Sequence, residues 1–208
     1  MGSKGSARDD RRARVESMQA AARAKDRRRT VTLWVSITAV VLAIGFAVAF
    51  VIIREEANRP SLDAVQTFKV VQEHVATPVS YAQTPPAGGE HSAVWLNCGI
   101  YDKPVPNENA VHSMEHGAVW VTYQPSLPAD QVKTLRDSLP STYIVLSPFD
   151  NLPAPVVASA WGKQIKLDSV DDPRLAAFVK EYRQGPQTPE PGAACTGGTD
   201  GTSPAVGM

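Results

Sequence analysis

An uncharged stretch from Thr30 to Ile53, entered from Arg27-Arg28-Arg29 and left at Arg54, constrains this chain more than any other feature. At about 1.5 Å of rise per residue, roughly 20 helical residues cross a hydrocarbon layer of about 30 Å. Residues 31–53 are therefore expected to be a transmembrane helix. Their many valines and isoleucines are no obstacle, because in lipid the backbone must satisfy its own hydrogen bonds and a helix does so. Trp34 suits the interface on the entry side. A cleaved leader would have a short basic lead and an apolar core of about 7–15 residues. The longer core and lead here predict an uncleaved signal anchor.

The formal net charge is zero, but it is unevenly placed. Residues 1–30 hold an excess of about six positive charges, balanced by an acidic remainder. Basic flanks stay on the cytoplasmic side. The expected organisation is a basic cytoplasmic tail (1–30), a transmembrane signal anchor (31–53), a linker (54–60), an extracytoplasmic domain (61–197) and a disordered tail (198–208). A localisation in the cell membrane as a single-pass protein follows. The basic block lacks interleaved aromatic residues, and the bilayer's anionic headgroups are a simpler partner for it than nucleic acid.

The outer part has the pattern of an α+β fold: a single compact domain with a small mixed or antiparallel sheet, preceded by one transmembrane helix. Leu62, Val65, Phe68 and Val71 are spaced for an amphipathic helix over 61–75. Strands are expected over 92–96, 117–123, 142–146, 156–161 and 164–167. The apolar stretch Ala118-Val-Trp-Val-Thr-Tyr123 has the composition of a central, doubly covered strand. Val132, Leu135 and Leu139 predict a helix over 129–139. Asp172-Pro173 predicts the start of another, with Asp as N-cap and Pro in the first turn.

The chemistry is concentrated in His112-Ser113-Met114-Glu115-His116, near His91 and Cys98. Asn107 as N-cap and Gly117 past the last turn frame a short helix over 108–116. In that helix Glu108, His112, Glu115 and His116 share one face, with Val111 and Met114 turned to the core. Such a face offers nitrogen and oxygen ligands suited to zinc or Cu(II). An extended segment would instead align His112, Met114 and His116, suiting copper, above all Cu(I). The metal-ligand candidates are thus His91, His112, Glu115, His116 and Met114, with copper favoured over zinc.

His112-x-x-Glu115-His116 also matches an inverted zincin pattern, in which two His hold zinc and Glu115 is the catalytic residue that activates water. Glu181 or His91 would be the third ligand of such an envelope hydrolase. A metal-free reading makes the same residues a polar brace inside an interaction domain that docks on a neighbouring membrane or envelope protein. His74 is expected to do no more than pack at the surface. Cys98 and Cys195, the two cysteines of the chain, are expected to pair as a disulfide outside the cytoplasm, clamping the Pro-rich tail onto the Cys98 loop. The ligand order around Cys98 does not suit a blue-copper site.

Longer patterns carry a resemblance. Thr84-Pro85-Pro86-x-Gly88-Gly89-x-His91 is followed by Trp95-x-x-Cys98-Gly99-x-Tyr101. Glu108-x-x-Val111-His112-Ser113-x-Glu115-His116-Gly117-Ala118-Val119-Trp120 comes next, then Leu152-Pro153-Ala154-Pro155-Val156-Val157-x-Ser159-Ala160-Trp161-Gly162. This set resembles the bacterial family named domain of unknown function 3105, common in actinobacteria, over roughly residues 61–197. The resemblance implies a recurrent, membrane-anchored, outward-facing domain with no assigned activity, whose motif set includes His91, Cys98, Glu108, His112, Glu115 and His116. It also implies a genomic association with small His/Met-rich outer proteins thought to bind copper, which adds to the expectation of copper.

Overall fold

The computed structural model describes residues 3–57 and 60–202. The chain divides into two compact units, 1–59 and 60–208. Within the first, α1 (Ser3–Ala57) is one continuous helix. It contains the one helix among the described residues that is long and apolar enough to cross a membrane. Val35, Leu42, Phe46 and Ile53 all lie exposed along it. The helix continues through Arg54-Glu55-Glu56, where a linker was expected; residues 58 and 59 lie outside the described residues.

The second unit is an α+β domain built on a mixed six-stranded sheet of order β1-β6-β5-β3-β4-β2. The strands are β1 (Gln66–Thr67), β2 (Gly99–Ile100), β3 (Val119–Tyr123), β4 (Ile144–Pro148), β5 (Val156–Ala160) and β6 (Lys163–Leu167). β3, β4 and β2 run parallel, with Val119 opposite Ile144 and Gly99 opposite Val145. β5 and β6 are antiparallel neighbours joined through Trp161-Gly162, and β5 pairs antiparallel with β3. The helices are α2 (Asn107–Glu115), α3 (Ala129–Ser138) and α4 (Pro173–Tyr182). α3 is the crossover that lets β3 and β4 lie parallel. α4 starts as the sequence predicts: the Asp172 side chain accepts from the Arg174 backbone N–H, with Pro173 in the first turn.

Side chains alternate along β3 and sort the core into two bodies. Val119, Val121 and Tyr123 join Leu146, Ile165, Phe178 and Leu175 on one face. Trp120 joins Val145, Leu96, Val111, Met114 and Trp161 on the other. α2 packs on this second face.

Three expectations need correction. Residues 61–75 do not form a helix: β1 pairs with β6 at Gln66↔Gln164, and Phe68 N–H donates to Gly162 O. The apolar spacing is satisfied differently, because Val70 packs on the second core body while Val71 is 57% exposed. An unpaired edge of β6 accepts an extended segment more readily than it could a helix. Residues 92–96 form no strand; only isolated bridges at His91 and Leu96 are present. Finally, residues 198–202 are tied to the domain, since Thr199 and Leu96 bridge and Gly198 N–H donates to Asn97 Oδ1. Residues 203–208 lie outside the described residues.

Candidate metal centre

α2 is fixed to its neighbours before any ligand is considered. Pro106 occupies its N-cap with extended dihedrals, one residue before the expected Asn107, and makes no side-chain cap bond. Asn109 Nδ2 donates to Val94 O, and Ser113 Oγ lies 2.6 Å from Leu96 O and 3.1 Å from Asn109 O. These bonds lash the irregular 91–98 segment to the helix. After His116, Gly117 turns the chain with φ +98°, and a Cβ there would collide with the Gln184 side chain. Gln184 Nε2 in turn donates to His116 O.

On this frame four imidazoles and a carboxylate meet. His91 Nε2 lies 2.9 Å from Glu115 Oε2, His74 Nε2 3.5 Å, and His112 Nε2 3.8 Å. His112 Nε2 and His116 Nε2 are 2.9 Å apart, as their i,i+4 spacing on one helical face allows. His116 Nε2 is 3.6 Å from Glu190 Oε2. His74 stacks on His112 with centroids 4.9 Å apart. Trp161 closes on His91, and Trp95 on His112 and His116.

The other ring nitrogens show how the rings are held. Nδ1 of His91, His112 and His116 lies 2.7, 2.6 and 2.6 Å from the carbonyl oxygens of Gly89, Ser92 and Ala194 respectively. A carbonyl only accepts, so each Nδ1 carries a proton and donates. Each ring then turns its Nε2 to the interior of the cluster. The two contacts at 2.9 Å, His91 with Glu115 and His112 with His116, are each closed by a proton or a cation shared between the partners. Glu115 Oε1 is also buried without a hydrogen-bond partner. Burial and the neighbouring His116 and His91 push the His112 pKa down to about 4, against the pull of the Ser92 carbonyl and Glu115. Burial raises Glu115, but the His91 hydrogen bond and the charges of His91, His112 and His74 outweigh it and hold the carboxyl below its ordinary value.

The structure brings His91, His112, Glu115 and His116 together and adds two residues. His74 belongs to the group rather than merely packing at the surface, because the extended 68–75 segment lays it beside His91 in a parallel bridge. Glu190 arrives on the strap after α4, whose backbone N–H donates to Glu115 O. That histidines are scarce in the chain was a signal for His74; nothing marked Glu190.

Met114 stands apart. The segment is helical, not extended, and Met114 lies in the apolar body with Val111 and Trp120. Glu181 is exposed on α4 and is not among the grouped ligand atoms. Glu108 accepts from the Val79 backbone N–H. Cys98 and Cys195 stand at disulfide distance, with Cα atoms 5.3 Å apart, next to Ala194.

The arrangement can exchange protons among imidazoles or hold a cation with nitrogen and oxygen ligands, the set that suits zinc and copper. Comparison with curated proteins and with solved structures gave no match. The model of the family described as protein of unknown function (DUF3105) matches residues 74–197, from His74 to just past Cys195. The span takes in His91, α2 and the strap that carries Glu190, and the chain belongs to that family.

Proposed function

We propose that this chain is a membrane-anchored metal-binding protein whose globular domain holds a transition metal through His91, His112, His116, Glu115 and His74. The observation that carries the reading is the orientation of the rings. Three Nδ1–H groups are spent on backbone carbonyls, which orients the rings and aims the Nε2 of each inward, the outer-shell arrangement of metal-bound histidine. An internal brace would pair each inward nitrogen with a protein group of its own; here the nitrogens converge on one another and on one carboxylate. Copper is the preferred ion and zinc the second, because imidazole suits both and divalent copper tops the affinity order of first-row ions. With Met114 in the apolar core, the ligand set belongs to Cu(II) rather than Cu(I).

The basic end of α1 stays in the cytoplasm and the domain faces outward, in keeping with the charge before the apolar stretch. Metal analysis of the full chain purified in detergent at neutral pH tests the binding. Stoichiometric copper or zinc is expected in the wild type, with loss in a variant combining His112→Ala and His116→Ala. A wild type that takes up neither ion from added salts rejects the reading.

A further inference from the structure

The ligand atoms around Glu115 fall into two overlapping sets. His74, His91, His112 and Glu115 place theirs within 4.8 Å of one another, and so do Glu115, His116 and Glu190. Four ligands complete a zinc shell, so these six are more than one such ion takes. Glu115 is common to both sets and has two oxygens to divide: Oε2 faces His91, and Oε1 is buried without a partner. Each set also has its own half-exposed member, since the side chains of His74 and Glu190 are each 49% exposed while those between them are buried.

From this geometry we infer that the centre holds two transition-metal ions bridged by the Glu115 carboxylate, one on His74, His91 and His112 and the other on His116 and Glu190. The inference rests on the metal-binding reading and adds stoichiometry and the division of ligands to it. Paired ions of this kind sit about 3.5–4 Å apart, the span a carboxylate bridges.

The test is titration of the metal-free full chain in detergent with Cu(II) and, separately, Zn(II), counting ions retained after desalting. Two equivalents per chain are expected for the wild type with at least one of the ions. Glu190→Ala and His74→Ala should each retain one. Both side chains are half exposed, so both variants should keep the wild-type unfolding midpoint in the absence of metal. With Cu(II) the paired spins should lower the paramagnetic resonance intensity below the bound copper content, and Glu190→Ala should restore it. One equivalent in the wild type with both ions, or two retained by both variants, overturns the paired centre. No bound ion at all overturns the underlying metal reading with it.

Discussion

The two faces of the central sheet are both sealed from solvent, but with different chemistry. Behind β3 and β4 the contacts are aliphatic and aromatic, with Val119, Leu146, Ile165 and Phe178 under α4. On the opposite face α2 buries His112, Ser113, Glu115 and His116 beside Met114 and Trp120. Apolar burial stabilises at roughly 25 cal/mol per Å² whatever else is present. Burial of ionisable groups costs free energy unless each is paired. The first face is therefore stabilised by apolar contact alone, whereas the second buries ionisable groups whose pairing decides its cost. A domain that keeps so costly a cluster on one side needs the other side to hold it together.

The largest effect that separates the faces is a cavity in the first. Phe178→Ala should cost about 3–5 kcal/mol, read by thermal or denaturant unfolding, and the loss should be the same with and without added Cu(II). A loss that shrinks on metal addition would show that the faces are not independent. Next comes the strap that closes the second face. Replacing Cys98 and Cys195 together by Ser opens a loop of sequence separation 97, and bridges of this kind contribute about 2–4 kcal/mol. Because Ala194 holds the His116 ring and Glu190 lies on the same strap, this variant should lose metal from the His116 side first. Equal loss from the His74 side would contradict that division.

Acid acts on the second face through its buried histidine. The folded His112 pKa is depressed to about 4, so between that value and the ordinary histidine range the unfolded chain binds more protons. Stability is full above about pH 6.5 and falls as pH drops toward 4, by up to about 3 kcal/mol for this one group. Glu115, also depressed, adds loss in the same direction below the usual carboxylate range. Metal-loaded protein should hold its unfolding midpoint to lower pH than metal-free protein, since bound ions keep the rings deprotonated. A midpoint flat from pH 7 to 4 would mean that the cluster is not buried as described.

Much of the first face was legible in the sequence, and less of the second. β3, β5, β6, α3 and α4 follow from period and caps, because short apolar stretches bounded by Pro, Asp and Gly leave little choice. The 61–75 segment misled, since Leu62, Val65 and Phe68 satisfy a helical period while the decisive fact, an open edge of β6, is non-local. That one misreading removed His74 from the site. α2 was readable from Gly117 and its apolar positions, which correctly set Met114 inward in the helical case. Glu190 was not readable, because it reaches the cluster through a Pro-rich strap whose path depends on the Cys98–Cys195 closure and on Thr199 pairing with Leu96.

The smallest predicted effect sharpens the contrast most. Ser113 is as deeply buried as Glu115 and sits in the same helix, so burial alone does not distinguish them. Its hydroxyl has one proton and two carbonyl acceptors within reach, Leu96 O and Asn109 O, and it is satisfied by the protein itself. Ser113→Ala should cost about 1 kcal/mol, equally in metal-free and metal-loaded protein, with bound metal unchanged. His112 has its Nδ1–H satisfied by Ser92 O and its Nε2 aimed at that of His116, so His112→Ala should reduce the gain in midpoint on loading. A Ser113→Ala variant that loses metal, or a His112→Ala variant stabilised by it as much as the wild type, would mean that burial and ligation on this face are not divided in this way.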